Sequence, residues 1–282
     1  MLSLALTVPG TAALAVALIA SANSRRFRRR VDREVGQMWA APSAPAGAGR
    51  RSPGALPAPV RRYAMRAMAG RPTVRTVRLR HGGTFRASLD GRWLPIRGDE
   101  YFAADPPGFV WWGRARVFPG LWVEARDRSV GGVGNMLVSA ESTLTLADIA
   151  GPEMDQGALL RLLAEMPWIP TALLDDRYVG WTPIDDGRAK AMLRVNGHEV
   201  AGIFEFAADG LPAGFSADRH RDLGGGRSVL TPWSGEYSDY RESGGLLVPH
   251  RVAVSWQIRG RWVPYARFVV DRFETDARRS TV

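Results

Sequence analysis

Arg161 and Glu165 stand four residues apart in the run GPEMDQGALLRLLAEMPWIPTALL, residues 151 to 174, with Glu153 and Asp155 upstream and Trp168 between two prolines. A guanidinium beside a carboxylate can do two kinds of work. It can hold an anionic ligand through paired N–H donors, or it can set the proton affinity of a carboxyl that exchanges a proton with a substrate. Exposed on a helix, with Arg ahead of Glu at i, i+4, the same pair does neither and is worth at most ~0.5 kcal/mol. The chemistry therefore depends on whether this helix lies in solvent or across the hollow of a sheet.

The other candidates for chemistry are weaker. His81, His198, His220 and His250 are scattered, and none stands in HExxH or at a metal-ligand spacing, so no metal site and no cofactor are expected. Asp175-Asp176 and Asp185-Asp186 bracket RYVGWTPI beside Gly and Pro, where solvated turns explain them. GGVGNM at 131 to 136 lacks the third glycine of a dinucleotide fingerprint and reads as a hairpin turn. No serine sits in a GxSxG elbow. With no cysteine, disulfides and thiolate metal sites are excluded.

The elements that must position these residues are legible in outline. The Arg161 helix has Gly151 and Pro152 at its start, acidic residues in its first turn, Leu159, Leu162, Leu163 and Met166 on one face, and a stop at Pro167. A second amphipathic helix begins near Pro59, with Val60, Tyr63, Ala64, Ala67 and Met68 on one side and Arg61, Arg62 and Arg66 on the other, closed by Gly70 and Pro72. From Val74 to Ala140, and again from Arg188 onward, short runs rich in Val, Phe, Trp and Tyr alternate with Gly and Pro turns. Asn196-Gly197 has the composition of a type I′ hairpin turn. The expected fold is α+β, mainly β: a large curved antiparallel sheet or half-barrel of about ten strands with two or three helices, preceded by one transmembrane helix.

Such a sheet must curl or close to bury its apolar face. Eight of the ten tryptophans fall on predicted strands or their ends, which suits either an aromatic core or a Trp-lined concavity. Arg161, Glu165, Trp168, Trp181, Trp233, Tyr240 and Trp256 are the residues expected to meet a hydrophobic or lipid-like ligand in that concavity. The alternatives are an enzyme using Arg161, Glu165, Asp155 or Tyr240 there, or a structural or partner-binding domain without a small ligand.

The net charge of +10 is unevenly spread. Residues 24–80 hold 15 arginines against Asp32 and Glu34, a balance of +13, while the remaining 23 basic and 26 acidic residues give −3. The nearly neutral domain argues against nucleic acid as a partner. Residues 1–23 carry no charge, and Leu2 to Ala22 would span about 31 Å as a helix, the thickness of a hydrocarbon core. Arg25, Arg26, Arg28, Arg29 and Arg30 follow at once and would flank the membrane. The expectation is a single-pass anchor in the cell membrane, N-terminus outside and domain on the cytoplasmic side, with the lipid bilayer as partner. A cleavable signal peptide ending at Ala20-Ser21-Ala22 is the competing reading. Residues 24–57 read as an Arg-rich juxtamembrane segment and a Pro/Ala/Gly linker, 58–275 as the β-rich domain and 276–282 as a tail.

Taken together, RYAMRAM, FPGLWVEARDRSVGGVGNM, the run quoted at the start, RYVGWTPIDD, TPWSGEYSDYRESGGLLVPHRVAVSW and YARFVVDRF resemble the successive blocks of an uncharacterised bacterial family of unknown function. The resemblance covers Val60 to Phe273, and RLLAE-PW-PTALL is its most specific block. It implies an architecture, often with an N-terminal membrane helix, and no mechanism. More loosely, a curved antiparallel sheet with helices on its concave side is similar to the lipoprotein-carrier fold, whose members hold acyl chains.

Overall fold

A computed structural model describes residues 7–42, 53–68 and 70–276. The parts of the expected anchor, linker and tail at residues 1–6, 43–52 and 277–282 lie outside the described residues. Helix α1 runs Thr7–Trp39 and α2 Ala58–Met68; the strands β1 (Thr76–Phe85), β2 (Leu94–Ala104), β3 (Pro107–Phe118), β4 (Leu121–Val130), β5 (Val133–Ala140) and β6 (Leu144–Ile149) follow. Helix α3 (Pro152–Glu165), a 3-10 turn at Met166–Trp168 and the single-turn α4 (Pro170–Leu173) interrupt the strands. The chain closes with β7 (Val179–Pro183), β8 (Arg188–Val195), β9 (His198–Phe206), β10 (Pro212–Gly224), β11 (Arg227–Ser243), β12 (Leu246–Ile258) and β13 (Arg261–Thr275).

All thirteen strands form one antiparallel sheet in the order β6-β5-β4-β3-β2-β1-β13-β12-β11-β10-β9-β8-β7. The chain starts at the centre, works outward to β6, crosses the hollow through α3 and α4 to the opposite edge at β7, and returns to pair β13 with β1. The strands thus number thirteen where about ten were expected. The clearest addition is poorly patterned: β6 is an edge strand with no buried residue. Ladder hydrogen bonds hold such strands, and they leave no alternation to read.

The curl has two faces. The concave face is filled by α2, α3 and α4: Leu159, Leu160, Leu162, Leu163 and Met166 are fully buried against Phe102, Phe109, Phe204 and Phe215. Each such side chain contributes ~2 kcal/mol of burial. Gly70 takes φ 69° after α2, where the sequence placed a helix stop, and Asn196-Gly197 takes positive φ at both residues.

The convex face carries α1. Phe27, Val31, Val35 and Met38 pack on Tyr101, Ala103, Val110 and Leu137, and Trp39 donates its indole N–H to the Phe102 carbonyl at 3.0 Å. The expected membrane span is not found: among the described residues no helix is long and apolar enough to cross a membrane. The described apolar part, Thr7 to Ala22, makes only ~24 Å of helix, and beyond it α1 is committed to the sheet. Arg25, Arg26, Arg28, Arg29 and Arg30 all lie on this helix.

Candidate functional site

Helix α3 sits across the hollow, and this decides the chemistry of Arg161. Its side chain is 12% exposed and reaches three carboxyl groups at once. Nε donates to Glu165 Oε1 at 2.8 Å, Nη1 to Asp127 Oδ2 on β4 at 2.8 Å, and Nη2 to Glu100 Oε1 on β2 at 2.7 Å. The guanidinium also lies 4.8 Å from the Phe109 ring centre and 5.1 Å from that of Trp111. Glu100 is in the register that points inward: it pairs with Trp111, which pairs with Asp127 across the next ladder.

One cation cannot neutralise three buried anions, so a proton enters the cluster. Burial, reinforced by the charge of Glu165, pushes the Glu100 carboxyl well above the usual range. Burial also raises Glu165, against the pull of Arg161. Both Glu100 and Glu165 are raised, Glu100 the more strongly, so the proton belongs to this carboxyl pair and sits on Glu100. The three carboxyls outweigh desolvation and hold Arg161 firmly charged.

His81 adjoins this cluster. Its Nε2 accepts the Trp111 indole N–H at 2.8 Å, which places the ring proton on Nδ1. Burial, then the charge of Arg161, lowers its pKa to about 4, so it is neutral. The rings fit because the sheet beneath them is bare. A Cβ on Gly98 would stand 2.5 Å from His81 Nε2, and one on Gly113 would stand 2.3 Å from the Trp111 ring. Glu100, Asp127, His81 and Trp111 were missed from sequence because they lie on four different strands far from α3 in the chain.

The other expected site residues do not join Arg161 and Glu165. Trp168 donates to the Pro249 carbonyl at 2.8 Å, Trp181 to that of Leu173 at 3.3 Å, and Trp233 to the Tyr265 hydroxyl at 3.0 Å. Trp256 stacks on Tyr265, and the Tyr240 hydroxyl donates to the Pro212 carbonyl at 2.8 Å. The four tryptophans belong to the packed core, so they do not line a concavity. The reason is geometric: α3 and α4 occupy the space that the curl encloses.

A groove of about 1050 Å³ opens on the other side of the sheet, over β1 to β4 beside α1. Arg80, Arg97, Arg114 and Arg116 line it together with Trp112, Trp122, Phe118 and Leu121. Arg97 and Arg114 are direct cross-strand partners, and Arg116 follows two residues along on the same face. Arg114 is paired with the buried Glu124 and touches Ser24 of α1, and Arg28 pairs with Asp99 while its guanidinium lies 4.2 Å from the Trp112 ring. Arg97 and Arg116 are exposed and make no ion pair among the described residues. The indole N–H groups of Trp112 and Trp122 are buried and have no protein acceptor. The groove is thus rich in donors over an aromatic floor. Its sequence signal was Trp112, Arg114 and Arg116 at i, i+2 and i+4, which the pleat puts on one face.

A family model for a family of unknown function (DUF6544) matches residues 48–268. The chain belongs to this family. The matched region contains the whole Arg161 cluster and every sheet residue of the groove, and α1 precedes it. No curated protein matches the chain. Among solved structures it is similar to a putative outer membrane lipoprotein-sorting protein domain from Vibrio parahaemolyticus, at 9% identity and TM-score 0.43, over 73% of this chain and 87% of that one. It is also similar to a DUF1329 family protein from Desulfovibrio piger, at 13% identity and TM-score 0.43, over 80% and 96%. A LolA superfamily protein from Nitrosomonas europaea aligns at 9% identity and TM-score 0.34, over 80% and 96%.

Proposed function

We propose that this chain is a membrane-associated domain that binds an anionic, lipid-like amphiphile in the outer groove, with no reaction of its own. The observation that carries this is Arg97 facing Arg114 across β2 and β3, with Arg116 alongside. Glu124 balances Arg114, so Arg97 and Arg116 on either side of it are the cations without a counter-charge among the described residues, and an anionic headgroup supplies one. The headgroup meets the exposed Arg97 and Arg116 guanidinium donors, while Trp112, Trp122, Phe118 and Leu121 take the apolar portion. The groove therefore replaces the concavity as the ligand site.

Membrane association is supported by the uncharged run Thr7 to Ala22 at the start of α1 and by the exposed Arg25, Arg26, Arg29 and Arg30 after it. An arginine excess of this kind favours the cytoplasmic face. The Arg161 cluster is assigned to holding α3, because Glu100 and Asp127 are buried and a substrate would have to displace the helix to reach them.

The test is binding of a short-chain phosphatidylglycerol, kept monomeric, compared with phosphatidylcholine of the same chain length, followed by calorimetry on the whole protein. Arg97→Gln with Arg116→Gln is expected to weaken phosphatidylglycerol binding at least ~10-fold, about 1.4 kcal/mol, with the fold retained. Equal affinity for the two lipids, together with indifference to the double substitution, would refute the proposal.

A further inference from the structure

Several exposed large apolar side chains gather in one place. Strand directions put the β1–β2, β3–β4, β5–β6 and β12–β13 connections at one end of this part of the sheet. Contacts link them in series: Asn23 of α1 to Thr143, the Trp122 carbonyl to Glu141 N–H, Arg92 over Phe118, and Arg86 bonded to Pro264. On this rim Phe118, Leu121, Leu144 and Trp262 are exposed, and Ile19 of α1 is exposed beside it. Helix α1 enters the convex face here, since Ser24 meets Arg114 while Met38 reaches the far end near Gly108. Thr7 to Ala22, uncharged throughout, therefore precede the rim on the side away from the sheet.

The rim is also basic. Arg92, Arg116, Arg259 and Arg261 are exposed on these tips, against an exposed Asp90 and a half-buried Glu141. Isolated apolar residues on a surface need no explanation, but a series of them on adjoining hairpin tips, interleaved with arginine and aligned with an apolar helix start, does.

We propose that this rim seats on an anionic bilayer surface, with Phe118, Leu144 and Trp262 at the headgroup–acyl boundary and the rim arginines among the phosphates. This rests on the lipid-binding proposal above and extends it. Phe118 and Leu121 belong both to the rim and to the groove, so an amphiphile passes from the bilayer into the groove without crossing water.

The chain contains no cysteine, so single labels report cleanly. In the full chain, Leu144→Cys and Trp262→Cys would each carry a polarity-sensitive fluorophore, with Ile184→Cys at the opposite end as control. On vesicles of phosphatidylglycerol and phosphatidylcholine in equal parts, the two rim probes are expected to shift to the blue and to be quenched by brominated lipid, and the Ile184 probe to do neither. Removing Arg259 and Arg261 together should weaken vesicle binding ~25-fold, about 5-fold for each arginine. Vesicle-bound protein whose rim probes stay in water would overturn docking by the rim and leave α1 alone as the attachment. Monomeric phosphatidylglycerol binding would still stand in that case, which separates failure of the rim from failure of the groove.

Discussion

Arg161 and Glu100, 61 residues apart in the chain, meet at 2.7 Å beneath α3, and Glu100 in turn shares a proton with Glu165. The pair joins the crossover helix to the central strands of the sheet. Arg161→Met would leave Asp127 and Glu165 buried without a counter-charge, and is expected to cost ~3–5 kcal/mol in denaturant unfolding. Arg161→Lys should restore little, since an ammonium cannot match a planar fork that serves three carboxyls. Wild-type stability in the lysine variant would contradict this account.

Stability should fall with pH through the Glu100 carboxyl. Its folded pKa is raised by burial, so the folded state keeps a proton that the unfolded chain releases near ~4.3. The contribution is complete below that value and is lost as pH rises through the folded pKa. Glu100→Gln can still accept from Arg161 and donate to Glu165, and is expected to flatten the slope while keeping the fold. Urea midpoints measured from about pH 4.3 upward decide the matter, and a slope unchanged in the variant would count against the shared proton.

Gly98→Ala places a methyl group 2.5 Å from His81 Nε2 and 2.7 Å from the Trp112 carbonyl oxygen. The strand cannot yield at its centre, so a loss of ~2 kcal/mol or more is expected. Loss of the near-ultraviolet signal of buried Trp111 should accompany it. A variant as stable as the parent would show that the two rings can part freely.

Docking of α1 can be followed by protease. Arg126 is fully buried, and Glu34 of α1 is the carboxylate that faces its guanidinium, at 3.1 Å. Glu34→Ala is expected to loosen the helix by ~2–3 kcal/mol through the uncompensated charge. Trypsin should then cut more rapidly after Arg25, Arg26, Arg28, Arg29 and Arg30. An unchanged cleavage rate would mean that Phe27, Val31, Val35 and Met38 hold α1 without the ion pair.

Much of the fold was legible because it follows from local chemistry. The α3 stripe, its Gly151-Pro152 start and its Pro167 stop lie within a few turns of chain, as do Asn196-Gly197 and the Gly131-Gly132 hairpin. β6 was not legible, because backbone bonding rather than apolar alternation holds it. The arginines after Ala22 read as a membrane flank, yet Phe27, Val31 and Val35 between and beyond them form a stripe that the sheet needs.

Local pattern alone determined that this chain makes a curled antiparallel sheet with an amphipathic helix carrying Arg161 and Glu165, since turn residues and apolar period act over a few residues at a time. Only the tertiary structure decided that the helix faces inward, that Glu100 and Asp127 complete its cluster, and that Trp168, Trp181, Trp233 and Trp256 are core while Trp112 and Trp122 floor a groove. Those outcomes depend on the register of strands distant in sequence and on which face of the curl each helix covers. A one-residue change of register would exchange the two faces, and no short stretch of chain carries that information.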